Sequence, residues 1–166
     1  MDVLTAIATK RAVRQFTGDP IPDDVLEKIL RAALRSQSSK NTQPWQLIVV
    51  RDRDTLMALS TLGDFLGHVA GAAACVVFAA PDERGWNWFD LGQCASYLQL
   101  AAHGLGVGSC LGSIYRPDDA KRLLGVPEKN ALNVLVSLGY AAPSHRPAQM
   151  GGRKPLSEAV HWERMT

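Results

Sequence analysis

Three stretches of this sequence gather side chains that can hold a ligand. In TKRAVRQF, Lys10, Arg11 and Arg14 are crowded together, and no acid follows until Asp19. Read as the end of a helix, this stretch puts Lys10 and Arg14 one turn apart, where like charges repel. An anion between them reverses the sign of that effect. A phosphate suits the position, because it offers three acceptor oxygens and guanidinium forks match it geometrically. The plain alternative is a solvated basic helix end, which the helix dipole favours.

The second stretch is RSQSSKNTQPW, residues 35–45. Ser38, Ser39 and Asn41 offer hydroxyls and a carboxamide, and Gln43 adds another carboxamide. A carboxamide donates and accepts at once, which suits a heterocycle with alternating carbonyl and imide N–H edges. The same residues are ordinary turn formers, and Trp45 reads as core. The third is GLGVGSCLGSIY, where Gly104, Gly106, Gly108 and Gly112 let backbone amides approach a ligand closely, or simply let elements pack. No phosphate-loop pattern occurs. A dinucleotide fingerprint does not fit either, because these glycines follow a long helical pattern instead of a strand.

Side-chain catalysts are not evident. Cys110 has no His or acid placed beside it by a local pattern and reads as a small buried residue. His68, His103, His145 and His161 form no metal-ligand spacing. The pairs Asp23–Asp24 and Asp118–Asp119 stand at helix starts, where acids need no catalytic explanation. A bound cofactor can carry hard chemistry that such a protein only orients.

The elements that must position these stretches follow from periodicity. Val3, Leu4, Ile7 and Ala8 predict a helix from residue 2 to about 10. DPIPDD opens a second helix, VLEKILRAALR, with one broad apolar stripe. QLIVV reads as a buried strand, DRDTLMALSTL as a short helix, and AACVVFAA as a second strand. Residues 87 to about 107 form the longest helical segment. It is apolar almost all round apart from Gln93, Ser96 and His103, which predicts burial in the domain centre or between subunits. GLGVGSCLG then reads as flexible backbone, RPDDAKRLLG as a helix closed by Gly125, and NALNVLVSLGYA as a third strand. This order favours an α+β layer over a doubly wound sheet.

Length and composition set the outer bounds. The 166 residues fit one domain spanning 1–166, with 46% hydrophobic and 20% charged residues. A net charge of +2 is too small for a general nucleic-acid or membrane-surface protein, and no apolar run reaches bilayer length. The start, MDVLTAIATKR, lacks a signal peptide's basic head and apolar core, and the three cysteines fit neither a zinc nor a disulfide spacing. The expectation is a soluble, reduced, cytoplasmic protein whose apolar content is partly covered by a partner subunit.

Taken in order, KRAVRQF, SSKNTQPW, DLGQCASYLQLAAHGLGVGSC and LGYAAP…GGRKPLSEAVH resemble the nitroreductase family of FMN-dependent oxidoreductases almost end to end. The resemblance implies an α+β fold around a central antiparallel sheet flanked by helices. It also implies an intertwined homodimer with FMN at the subunit interface. Lys10, Arg11 and Arg14 match the family's basic cluster on the FMN phosphate and ribityl chain. Ala12 stands where many members place a phosphate-binding serine. Ser38, Ser39 and Asn41 match the segment that reaches the flavin from the other subunit, with Gln37 where a proline is common. Gly112, Ser113 and Ile114 fall where backbone amides meet the flavin's reactive edge. Arg153, with Lys154 beside it, matches a late basic residue that returns to the phosphate.

What the resemblance implies chemically is a ping-pong cycle. NADH or NADPH passes a hydride to the flavin, and a nitroaromatic, quinone or similar small acceptor then takes its place. The chain is short for the family, and only PDERGWNWFD stands where many members carry a helical excursion over the substrate side. Trp86, Trp88 and Phe89 are therefore candidates for the apolar wall there, or for core and interface aromatics. The sequence leaves open NADH against NADPH, FMN against a deazaflavin, and other roles of the same fold: dehalogenation, dehydrogenation or flavin binding without turnover. An anion-binding dimer without flavin would explain only the basic cluster.

Overall fold

In a computed structural model describing residues 1–82, 84–148 and 151–165, the strands are β1 (Gln46–Val50), β2 (Ala74–Ala80), β3 (Gly108–Ser113) and β4 (Ala131–Gly139). The helices are α1 (Val3–Thr9), α2 (Asp23–Ala33), α3 (Arg53–Ser60), α4 (Gly85–Gly104), α5 (Pro117–Leu124) and α6 (Leu156–Ala159). The strands form one sheet in the order β1-β2-β4-β3, with every neighbouring pair antiparallel. This confirms the α+β class. Its centre follows from composition: ACVVFAA has no polar side to turn outward, and β2 is buried at every position.

Alternation along β2 divides the core in two. Ala74, Val76, Phe78 and Ala80 face α2 and α4. Cys75, Val77 and Ala79 face α3 and the Leu62–Val69 turn, with Ala120 of α5 completing that side. Each face thus meets a helical layer, which is what a sheet with two apolar faces requires. A bulge interrupts the β2–β4 ladder, since Phe78 pairs with Val134 but Ala79 pairs with Leu132, leaving Asn133 as the extra residue. Helix α2 buries Leu26, Ile29 and Ala33 from its amphipathic stripe, and each large side chain so buried contributes roughly 1.5–3 kcal/mol.

Four expectations need correcting. β1 is an edge strand with Gln46 exposed and Leu47 and Ile48 half-buried, because only β2 covers its flank. α4 is not enclosed in the domain centre: it buries one face, through Leu91, Cys94, Ala95, Leu98 and Ala102, and leaves Phe89 and Tyr97 exposed, so of the two expected settings the one between subunits stands. Its all-round apolar composition therefore exceeds what this chain covers. The glycine stretch read as flexible backbone is strand β3, paired with β4 from Gly108↔Gly139 to Ser113↔Val134. Glycine is demanded there by packing: a Cβ on Gly112 would run into Leu66, and one on Gly108 would lie 2.8 Å from Val13 Cγ2.

The fourth correction concerns the basic stretch. α1 ends at Thr9, and Lys10 already has non-helical ψ of 127°. Beyond it the chain runs along the sheet's outer edge, where Val13 N–H donates to Ser109 O (2.9 Å) and Thr17 N–H to Tyr140 O (3.0 Å). Lys10 and Arg14 are therefore not one helical turn apart. The pairing partners offered by β3 and by the chain after β4 outcompete continuation of the helix.

Candidate functional site

Arg11, Ala12 and Arg14 line a cleft of about 290 Å³ together with Pro147, Ala148 and the Gly151–Arg153 segment. Residues near the two ends of the chain meet there because the edge segment pairs with the residues following β4, through Ala142 N–H to Gln15 O at 2.9 Å. No carboxylate is among the lining residues. Among the described residues, none of Lys10, Arg11, Arg14 or Arg153 enters an ion pair, whereas Lys28, Arg31, Arg51, Arg84, Lys121 and Arg122 each do. Arg11 spends one terminal nitrogen on the carbonyls of Ala8 and Lys10, at 2.8 and 2.9 Å, which closes α1. The remaining guanidinium donors offer this cleft an anion site with bidentate geometry. Ala12 lines it without a hydroxyl to add.

Lys10 takes a different place. It is half-buried and lines a neighbouring groove with Val13, His103 and Ser109. Burial holds it below the ordinary lysine value, with the Cys110 thiol opposing that shift and Arg14 adding to it. Burial in turn pushes the Cys110 thiol up, with Arg14 and Lys10 pulling it back. A raised, buried thiol agrees with its reading as core and not nucleophile. Lys154 is exposed and does not line the arginine cleft.

Ser38 and Ser39 lie elsewhere. They line a groove of about 240 Å³ with Gln37, Trp86, Phe89, Asp90 and Gln93, and share no residue with the arginine cleft. Within one chain, the structure therefore does not bring the two predicted halves of the site together. The loop itself is tightly specified. Lys40, Asn41 and Gln43 all adopt positive φ, at 51°, 56° and 46°. Non-glycine residues rarely hold this conformation unless their surroundings impose it. Ser38 Oγ accepts the Gln43 amide at 2.9 Å, and the Gln43 carboxamide donates to Asn41 Oδ1 at 3.3 Å. From α4, the Asp90 carboxylate accepts the Ser39 amide at 3.0 Å.

Asp90 escaped the sequence reading. The signal was available, since it is the sole acid between Glu83 and Asp118 and sits inside an apolar helix. The aromatics divide as well. Trp86 and Phe89 are exposed and meet edge to face, with centroids 6.3 Å apart, whereas Trp88 packs against the main core. Trp88 is thus half-buried against the core and does not line the groove, whose aromatic residues are Trp86 and Phe89.

The β3 edge supplies backbone donors selectively. Ile114 N–H donates to Asn133 O at 2.8 Å, so it is already engaged with the β4 side. By the two-residue alternation of an antiparallel ladder, Gly112 faces β4 likewise, while Leu111 and Ser113 face outward. Of the three residues expected to offer amides, Ser113 is the one whose amide points away from the sheet. Beneath this edge His68 is buried, with Nδ1 2.8 Å from Ser137 Oγ, and Ser137 Oγ donates to Cys110 O at 3.3 Å. Burial, followed by the charge of Arg14, lowers His68 to about 4. The described residues contain no group of His, Cys, Asp and Glu able to hold a metal ion, and no helix among them is long and apolar enough to cross a membrane.

The described chain thus carries an arginine-lined cleft, a tightly specified polar loop and an edge strand with outward amides. Comparison with known proteins is specific about the lineage. The Nitroreductase family model matches residues 7–70 and 61–140. The chain is 32% identical to the NADH dehydrogenase of Thermus thermophilus, covering 98% of this chain and 96% of that protein. That alignment spans 202 positions, more than this chain holds, so the relative carries insertions that this shorter chain lacks. It is 26% identical to the NADPH-flavin oxidoreductase of Vibrio harveyi, over 96% of this chain and 73% of the relative. Among solved structures it is similar to an FMN-dependent nitroreductase from Clostridium difficile, at 29% identity and a TM-score of 0.86, covering 98% of this chain and all of that one. The chain belongs to the Nitroreductase family.

Proposed function

We propose that this chain is an FMN-dependent NAD(P)H oxidoreductase that works as a homodimer, reducing a nitroaromatic, quinone or similar small acceptor. The observation that carries this reading is the cleft of Arg11, Arg14 and Arg153, three guanidiniums with no carboxylate among the lining residues. Such a set suits the FMN phosphate, and Gly151 and Gly152 leave room for it. Lys10 stands close by for the ribityl chain. The outward Ser113 amide would serve the flavin's reactive edge, and the Ser38–Asn41 loop of the second subunit would complete the pocket from the other side. Held there, FMN would supply hydride transfer between NADH or NADPH and the acceptor, with the two substrates using one space in turn in a ping-pong sequence.

The protein's own contribution is binding and electrostatics. Guanidiniums at the phosphate and amide donors at the ring edge stabilise negative charge as it develops. Trp86 and Phe89 wall the acceptor side. No side-chain acid is required, and water supplies protons to products. The second subunit is supported by apolar surface that one chain leaves uncovered. Leu4 of α1 is 78% exposed and Trp162 in the tail is 77% exposed, with Val3, Ile7 and Leu156 also turned outward. Buried free thiols at Cys75, Cys94 and Cys110 accord with a reducing, cytoplasmic setting.

The test is an absorption spectrum of the purified protein before and after adding FMN, then NADH or NADPH. Bound yellow flavin that bleaches with a nicotinamide donor and recovers with an acceptor is the expected result. Protein that takes up no flavin would overturn it, and flavin that no nicotinamide bleaches would overturn the enzymatic part.

A further inference from the structure

We infer that Asp90 is the positioning residue that holds the Ser38–Gln43 loop in its ligand-reaching conformation, and so controls flavin affinity from outside the flavin's own contacts. This deepens the proposed function and rests on it for the identity of the ligand. The loop needs an external tie. Its other hydrogen bonds are internal: Asn41 N–H to Ser38 O, Thr42 N–H to Ser39 O, Gln43 N–H to Ser38 Oγ, and the Gln43 carboxamide to Asn41. Among the described hydrogen bonds, only Asp90 Oδ2 to the Ser39 amide joins residues 37–43 to another element. Three left-handed non-glycine residues follow within four positions of that bond, and such backbone persists only where the surroundings over-determine it.

The carboxylate has no other evident reason to be there. Asp90 is 2% exposed and forms no ion pair among the described residues. Burying a carboxylate without compensation is costly, so a neutral residue would pack there at less expense. Nor does the helix dipole account for it, since Asp90 lies in the second turn of α4, beyond the free amides of the first. What it gains is a charge-assisted acceptor position for a backbone amide. Trp86, Phe89, Asp90 and Gln93 follow helical spacing, so one face of α4 carries the aromatic wall and the loop anchor together. In the dimer this makes Asp90 of one subunit act on the flavin held by the other subunit's arginines.

The experiment compares Asp90→Ala and Asp90→Asn with the wild type by amide hydrogen exchange and by FMN titration with fluorescence quenching. In Asp90→Ala, exchange should accelerate at least 10-fold for amides of residues 37–43, with β2 and β4 unchanged, and the FMN Kd should rise about 10-fold. Asp90→Asn keeps an oxygen that can accept the Ser39 amide, so it should stay within about 3-fold of wild type in both readouts. Unchanged loop exchange in Asp90→Ala overturns the proposal. So does an Asn variant as impaired as the Ala variant, which would make Asp90 a general determinant of the core. A loosened loop with unchanged FMN affinity overturns its link to the flavin. Should the wild type bind no FMN, the functional reading fails by itself, and loop exchange still decides the anchoring role.

Discussion

The arginine cleft and the Ser38–Gln43 loop serve one proposed ligand by opposite means. In the cleft, charge is left uncompensated and its carriers stay exposed. Arg11 and Arg14 are exposed, lack carboxylate partners among the described residues, and stand on a segment tied to β3 by the Val13–Ser109 backbone bond and by the Val13 side chain over Gly108. In the loop, the side chains nearest the groove are neutral and the backbone is held in a conformation that most residues avoid. A long-range Coulomb attraction tolerates a mobile guanidinium, whereas neutral hydrogen bonds repay their cost only when donor and acceptor are already in place. The difference explains why one region is rich in charge and the other in constraint.

The sharpest way to break this comparison is to remove the charge. Replacing Arg11 and Arg14 together by alanine should weaken FMN binding at least 100-fold, about 3 kcal/mol for two charge-assisted contacts. Quenching titrations at low and high salt check it. Wild-type affinity should fall with salt, and Asn41→Ala should lower affinity several-fold while leaving the salt slope unchanged. A double variant that binds within 5-fold of wild type would deny the cleft its role. Next in size is the aromatic pair beside the loop. Trp88→Ala should cost about 2–3 kcal/mol of stability in thermal or urea melts, because it opens space in the core. Trp86→Ala should cost under ~0.5 kcal/mol and instead shift kcat/KM between acceptors several-fold in a turnover panel. Equal destabilisation by both would erase the distinction between wall and core.

The smallest effect tests the loop's constraint itself. Lys40→Gly removes the Cβ penalty at a φ of 51°, offset in part by the greater freedom of glycine in the unfolded chain. A net gain of about 0.5 kcal/mol, or 1–2 °C in Tm, is expected. A loss of stability would mean that Lys40 makes a contact worth more than the strain.

Much of the layered fold was legible because local pattern and tertiary environment agree. AACVVFAA reads as a strand and is one, the paired acids open α2 and α5, and Gly125 closes α5 in the left-handed conformation at φ 67°. Strand β3 was hidden because its glycines mimic a turn. Their true requirement is the approach of Leu66 and Val13, which lie 46 and 95 residues away in the chain. The basic cluster was legible as chemistry but not as geometry. Helical spacing was inferred for Lys10 and Arg14 when pairing with Ser109 had already ended the helix.

Residue types are local facts, so the sequence alone determined that arginines, carboxamides and glycines stand in an order that resembles the Nitroreductase family. Hydrogen-bond partners and neighbours are long-range facts, and only the tertiary structure decided them. It turned the Ser113 amide outward and engaged that of Ile114, sent Trp88 inward and Trp86 outward, and set Asp90 beneath Ser39. The physical reason is common to all three: which donor is free and which side chain is covered depends on what packs across from it, and periodicity along one segment carries no record of that partner.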